Sequence, residues 1–262
     1  MARLPRLTEF ESGIDESIAV KPVAVEDLLG RPQAVLDRPA MENLVKGQRV
    51  LITGAGGTIG SELVRQIVAL GPARLDLVDN SEFNLYAIDL GVSEVSDGLE
   101  HHAHLTDVRD RTTLANVFAA ARPDLVFHAA ALKHVPIVET HVAEGVLTNI
   151  GGSRNVADLC RESGAQKMVL ISTDKAVRPT NIMGATKRFA EIIIQSINSE
   201  SSNTKFSMVR FGNVINSSGS VIPLFIDQIS RGGPITVTHK NVMRYFMTIP
   251  EASNLVLQAG EM

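Results

Sequence analysis

From Arg49 onward the chain alternates short apolar runs rich in β-branched residues with longer stretches whose apolar residues recur every three or four positions. The first run, Val50-Leu51-Ile52-Thr53, stops at a glycine-rich turn and opens onto residues 61–68 with helical spacing. Further on, the pattern predicts strands over 74–79, 102–106, 125–130, 167–172 and 206–211. Helices are predicted over 82–95, 110–121, 149–163 and 185–197, with a helix-like stretch at 251–258. Apolar strands alternating with helices predict an α/β fold, a doubly wound parallel sheet covered on both faces and joined by right-handed crossovers.

Residues 1–47 break this pattern. Pro5, Pro22, Pro32 and Pro39 stand among charged residues, and the one short periodic stretch is 23–29, so the segment reads as an extended arm with one helical turn that wraps a neighbouring surface. The expected organisation is therefore an arm over 1–47, a dinucleotide-binding domain over 48–212, and a small substrate-binding region over 213–262. Composition narrows the ligand class. At 44% hydrophobic residues, 262 residues can bury one large core, and a formal charge of −4 with no basic run interleaved with aromatics argues against nucleic acid as a partner. The single cysteine, Cys160, lies in a helical pattern and reads as a buried core thiol, which suits a reducing cytoplasm. No run is apolar for long enough to span a bilayer, and the N-terminus lacks the basic-then-apolar pattern of a signal peptide.

The glycine turn is the first candidate site. Gly54, Gly57 and Gly60 let the backbone bend sharply and approach a pyrophosphate, which the N–H groups and dipole at the following helix start, with Thr58 and Ile59, then attract. The second strand ends in Asp79, followed by Asn80, about twenty residues further on, as a dinucleotide site requires. Asp79 can accept from both hydroxyls of a ribose and would repel a 2′-phosphate, so NAD is expected rather than NADP. In such folds ligands lie beyond the carboxyl ends of the strands. That places Asp107 and Val108, the small residues Ala129, Ala130 and Ala131, and Lys133 and His134 at the rim. His134 reads equally as an ordinary loop histidine. His101, His102 and His104 alternate beside a strand without a carboxylate or cysteine at ligand spacing, so no metal is expected there.

Ser172-Thr173-Asp174-Lys175 at a strand end, followed by Met183-Gly184-Ala185-Thr186-Lys187 at a helix start, carries the chemistry. Further motifs are His128 to Pro136, Arg210-Phe211-Gly212-Asn213-Val214, Gly219 to Phe225 and Arg244-Tyr245-Phe246-Met247-Thr248. With these, the sequence resembles the extended short-chain dehydrogenase/reductases, which have a Rossmann fold. Within them it is similar to the polysaccharide-biosynthesis, CapD-like UDP-N-acetylglucosamine 4,6-dehydratases, from about residue 20 onward. In the superfamily a tyrosine four residues before the lysine takes the proton from the hydroxyl being oxidised. Here that position is Met183, whose thioether is neither acid nor base, as in some members of the branch. The substitute has to be Asp174 or Thr173, and of the two only Asp174 holds a proton reversibly near neutrality.

The resemblance implies further roles. Lys187 holds the nicotinamide ribose, Lys175 removes the C5 proton once C4 is a ketone, and Asp174 donates to the departing C6 hydroxyl. Asn213, Ser220 and Val221 approach the UDP-sugar, as do Lys133 and His134 at the rim, and Arg244 pairs with its diphosphate as a fork. A homo-oligomer is expected. Larger members carry membrane helices and another nucleotide-binding domain ahead of the matching segment and continue beyond it, so the chain is expected to correspond to part of such a protein. Two other readings stay open on the residues: a nucleotide-sugar 4-epimerase, and a non-catalytic NAD-binding regulatory module.

Overall fold

The computed structural model describes residues 37–96, 98–200, 203–237 and 239–262, together with 2–3, 21–22 and 29. Residues Met1–Ala34 and Val35–Met262 form separate compact units. In the first, β1 (Ala2–Arg3) pairs antiparallel with β2 (Lys21–Pro22). The helical turn expected over 23–29 lies outside the described residues except for residue 29.

The second unit is built on six parallel strands: β3 (Arg49–Thr53), β4 (Arg74–Asp79), β5 (Glu100–Leu105), β6 (Leu125–His128), β7 (Lys167–Thr173) and β8 (Lys205–Phe211), in the order β5-β4-β3-β6-β7-β8. The order reverses between β3 and β6, and this is where a crevice opens at the strand ends of a doubly wound sheet. Alternation along each strand feeds two cores. Val50 and Ile52 of β3 and Leu125 and Phe127 of β6 face one side, and Leu51 and Val126 face the other. On the first side lie α2 (Thr58–Val68) and α3 (Glu82–Val95), whose Leu63, Ile67, Leu85 and Val92 are buried. On the second lie α4 (Arg111–Ala121), α7 (Ser153–Ser163) and α8 (Ile182–Glu200), with Phe118, Cys160 and Ile194 buried among them. Cys160 is thus the core thiol expected, and burial pushes it well above the ordinary thiol range.

Several boundaries differ from the sequence reading. The arm does not extend to residue 47, because α1 (Arg38–Val45) buries Met41, Leu44 and Val45 in the first core. Pro39 had argued for a loop there, yet it occupies the helix's first turn, where its missing N–H costs nothing, and Asp37 caps that turn by accepting from the Ala40 amide at 3.1 Å. The strand expected over 102–106 runs instead from Glu100 to Leu105, an edge strand whose polar residues blur its period. The helix expected from 149 begins earlier. After α5 (Val135–Thr140) and α6 (Val142–Gly145), a π-helical segment, Val146–Gly152, runs straight into α7. Two glycines here are packing residues: a Cβ at Gly152, which ends the segment, would come within 2.6 Å of Val108, and one at Gly145, which ends α6, within 2.6 Å of Val138. The helix expected from 185 starts at Ile182, so Met183 and Lys187 share one helix.

After β8, β9 (Asn213–Val214) pairs parallel with β10 (Phe246–Met247), and α9 (Val221–Ser230) lies between them in sequence. The final helix, α10 (Ile249–Glu261), does not stand apart with the expected substrate region. It lies on the sheet, with Val256 and Leu257 in the first core and Lys167 Nζ capping its end through the carbonyls of Gly260 and Glu261 at 2.6 and 3.0 Å. Among the described residues, no helix is long and apolar enough to cross a membrane.

Leu257→Ala should therefore cost about 2–5 kcal/mol in a urea or guanidinium unfolding curve, as for a core leucine. Met243→Ala, at an exposed position, should change stability by less than about 0.5 kcal/mol.

Candidate active site

The chain end of β3 and the chain end of β6 meet at the reversal point. Gly54, at φ +67°, lies so close to the next strand's loop that a Cβ would stand 2.6 Å from the Ala130 amide nitrogen. Gly60 is as constrained from the helix side, since its Cβ would overlap the Gly54 carbonyl oxygen at 1.9 Å. Gly57 differs. Within the protein its Cβ would meet only the Gly54 oxygen, at 3.3 Å, and the residue lines the crevice, so the space it leaves is open to a ligand. It is also the N-cap of α2 without a side-chain cap, which leaves the helix's first N–H groups facing that space. Gly56, which the sequence reading gave no role, packs against Asn84 of α3, and no spacing signal marked that contact.

Two adjoining cavities run from this turn. One, of about 420 Å³, is lined by Gly54, Gly57, Asp79, Asn80, Asp107, Val108 and Ala129 to Ala131. The Asp79 carboxylate is buried and accepts from the amides of Gly56 and Ser81, each at 2.9 Å, which fixes it in the wall. Burial pushes Asp107 up, but hydrogen bonds from Arg109 offset this and hold it below the usual carboxylate range. Arg109 also reaches Glu144 of α6 at 2.6 Å across the rim, a pair that sequence spacing gave no way to foresee. These residues fit the adenosine half of a dinucleotide: an open glycine position, free helix N–H groups, and a fixed carboxylate for ribose hydroxyls.

The second cavity, of about 510 Å³, brings together Thr58, Ile59 and Gly60 with Lys133, His134, Thr173, Lys175, Met183, Lys187, Asn213, Ser220 and Val221. Lys175 Nζ donates to Asp174 Oδ1 at 3.1 Å and Asn213 Oδ1 at 3.2 Å, and the Thr173 hydroxyl donates to Asp174 Oδ1 at 3.0 Å. Asp174 itself does not line the cavity; it sits behind Thr173 and Lys175 in the short 3₁₀ turn Asp174–Ala176. Arg244 is not brought in either. It is exposed, and its guanidinium donates to the Met243 carbonyl at 2.9 Å. The Ser220 hydroxyl is buried in the cavity wall, with no hydrogen-bond partner among the described residues, at the N-cap of α9. The Ser217–Ser220 loop closes toward the glycine turn, with the Ser218 amide donating to Thr58 Oγ1 at 3.2 Å, and the His134 ring lies against Gly219.

The polar residues beneath these cavities define a protonation state. Ser153 donates its one hydroxyl proton to the Asn149 carbonyl at 2.7 Å, so His128 Nε2 must be the donor to Ser153 Oγ at 2.9 Å, and His128 Nδ1 accepts from Thr53 at 2.6 Å. Burial, helped by Lys187, pushes His128 down to about 3, so it is neutral. Asn149, in the π-helical segment, holds the Leu132 amide at 2.8 Å and its carbonyl at 3.0 Å and donates to Thr186 at 3.0 Å. It thereby fixes the Lys133 loop to the helix that carries Lys187. Burial lowers Lys133 as well. Lys187 is buried with no hydrogen-bond partner among the described residues, and desolvation, opposed by Glu191, lowers it to about 8. Among the described residues no group of three or more His, Cys, Asp and Glu could hold a metal; His104 instead bonds to Asp76 at 2.8 Å.

A family model described as "Polysaccharide biosynthesis protein" matches residues 50–262. The chain belongs to this family. The capsular polysaccharide biosynthesis protein CapD of Staphylococcus aureus is 47% identical over 259 residues, 98% of this chain and 43% of that protein. A UDP-N-acetylglucosamine 4,6-dehydratase (inverting) of Campylobacter jejuni is 33% identical over 222 residues, 83% of this chain and 65% of that protein. Among solved structures, Pen from Bacillus thuringiensis superimposes with a TM-score of 0.77 at 36% identity, covering 84% of this chain and 69% of that one. The chain thus spans less than half the length of CapD, with the cavities described above inside the matched segment.

Because Lys187 is lowered from 10.5 to about 8 by folding, its buried charge costs stability below pH 8, and the cost fades as pH rises from about 8 towards 10.5. Lys187→Met should therefore stabilise the ligand-free protein at pH 7 by about 3 kcal/mol at most. Urea unfolding should show this gain shrinking steadily between pH 8 and pH 10.

Proposed function

We propose that this polysaccharide biosynthesis protein modifies nucleotide sugars, and that its reaction is the NAD-dependent 4,6-dehydration of UDP-N-acetylglucosamine to a 4-keto-6-deoxy sugar. The observation that carries this reading is the meeting of Thr173 and Lys175, with Asp174 directly behind both, in a cavity that joins the dinucleotide crevice. The kinship to a dehydratase acting on that sugar, one-third identical, supports the substrate.

NAD would lie along the glycine turn, its adenosine ribose at Asp79 and its nicotinamide ribose at Lys187. When bound, it supplies the oxidant for C4 and returns the same hydride at C6. The protein moves the protons. Thr173, whose hydroxyl already donates to Asp174, can take the C4 hydroxyl proton as it passes its own to the carboxylate. This relay replaces the absent phenol at Met183 and gives Asp174 a role although it does not line the cavity. Lys175, in its neutral form, removes the C5 proton. Asp174 then gives its proton, back through Thr173, to the departing C6 hydroxyl, which leaves as water, and Lys175 returns its proton to C5. The C4 hydroxyl proton leaves in the water, and C5 regains a proton from the Lys175 ammonium, whose hydrogens exchange with solvent.

Substrate binding draws on Asn213 and on the start of α9. Ser220 Oγ has no partner, and the helix's first N–H groups and dipole favour an anion, which suits the diphosphate of a UDP-sugar. Arg244 could reach it only if its segment moves from the exposed position seen here.

Incubation with UDP-N-acetylglucosamine and NAD, followed by mass spectrometry, tests the reading: a product lighter by one water is expected. An isomer of unchanged mass would mean a 4-epimerase, and NAD binding without turnover would mean a regulatory module. NAD should bind more tightly than NADP by titration calorimetry, and Asp79→Ala should narrow the difference. In deuterated water, solvent deuterium should enter C5, and Lys175→Ala should lower turnover by about 10²–10⁴-fold. Thr173→Val should lower it as strongly as Asp174→Asn if the relay operates, whereas Met183→Ala should retain much of the activity.

A further inference from the structure

One turn beyond Lys187 on α8 stands a carboxylate that reaches neither cavity. Glu191 is fully buried. Its oxygens accept from the Ser172 hydroxyl at 2.6 Å, from Arg210 Nε of β8 at 2.7 Å and from Arg188 Nη1 at 3.0 Å. Burial pushes Glu191 up, but the hydrogen bonds from Arg210, Ser172 and Arg188 outweigh it and hold the group below the usual range, so it is an anion. Both arginines are more than a third exposed, so water screens their charge more than that of the carboxylate between them.

The charged and titratable groups around Lys187 come from every element near it. From β6 there is His128, which is neutral; from the turn after β7, the Asp174–Lys175 ion pair at 3.1 Å; from the loop after β6, Lys133 in the same cavity wall; from β8, Arg210. Glu139 of α5 is occupied by the Ile182 amide at the start of the helix. Lys133, Arg188 and Arg210 repel an ammonium, both arginines being screened by water, and the ion pair has no net charge. Glu191 is the buried group that favours it.

We propose that Glu191 is a positioning residue of this site: it ties the end of β7, at Ser172 next to Thr173, to the helix bearing Lys187, and its field keeps the Lys187 ammonium charged. The role matters because Met183 provides no phenol through which a lysine charge could act, so Lys187 must act on its ligand directly. The proposal deepens the reading of the cavity as an NAD and nucleotide-sugar site, yet its test needs neither substrate nor turnover.

In protein labelled with ¹³C and ¹⁵N at lysine side chains, the Lys187 resonance is identified by its loss in Lys187→Met, and its titration is followed by NMR. The wild-type midpoint should lie near 8. Glu191→Gln, which keeps an acceptor for Ser172 but removes the charge, should lower the midpoint by on the order of one pH unit. Arg210→Gln removes a repelling cation from a half-exposed position and should raise it. A Glu191→Gln midpoint equal to or above that of the wild type would overturn the proposal. Should that variant fail to fold, an Arg210→Gln midpoint unchanged or lowered would do the same. Loss of the dehydratase reading, shown by an unchanged sugar, would leave these shifts unaffected.

Discussion

The approach of the Gly54 backbone to Ala129 and Ala130 is the constraint on which the site depends. A parallel sheet whose strand order reverses must open a crevice at its carboxyl edge, but the depth of that crevice is set by how closely the two loops flanking the reversal can pack. Here they pack without side chains on one side and with methyl groups on the other. The turn after β3 is therefore held rigidly beneath the ligand space, and α2 is pressed against it through Gly60. With that floor fixed, the free N–H groups of α2, the Asp79 carboxylate and the Lys187 ammonium all address the same continuous cleft.

The second feature is a division of labour by depth. Thr173, Lys175 and Lys187 line the cavity, while residues bonded to them or to their neighbours stay out of its lining. Asp174 stands behind Thr173, Asn149 behind the Lys133 loop, and Glu191 behind Ser172. Asn149 and Glu191 are fully buried and hydrogen-bonded, so low dielectric strengthens their bonds, whereas Asp174 stays partly exposed to water. Lys187 is the exception, a buried ammonium without a hydrogen-bond partner among the described residues.

Much of this was legible in the sequence because the strands are buried on both faces and their β-branched runs end at chemically distinctive residues. The glycine turn, Asp79 and the Thr173-Asp174-Lys175 run all lie where a strand stops, and a strand's end is easily read. The misreadings came from residues with two physical uses. Pro39 was taken for a breaker but starts α1, and Gly145 and Gly152, which carried no signal of their own, give Val138 and Val108 room to pack against helices. The retreat of Asp174 behind Thr173 depends on a single 3₁₀ turn, and Arg244 lies on a segment with no regular structure. Neither leaves a periodic trace. Glu191 was invisible for a simpler reason: a glutamate on a helix is usually solvated, and only the packing of α8 on β7 and β8, where Ser172 and Arg210 bond to it, reveals that this one is interior.

Met183, Lys187 and Glu191 fall at intervals of four residues along α8, about 6 Å apart in rise and on nearly one stripe. The helix thus resembles a ladder with separate rungs: two that line the cavity, the second carrying an ammonium, and a lower one bolted to the sheet. A substitution on the upper rung alters what faces the cavity while the rungs below keep their charge and their anchorage. A scaffold built this way can trade one proton-transfer route for another by single substitutions, and lineages that share its fold can diverge in chemistry without first having to re-engineer their electrostatics.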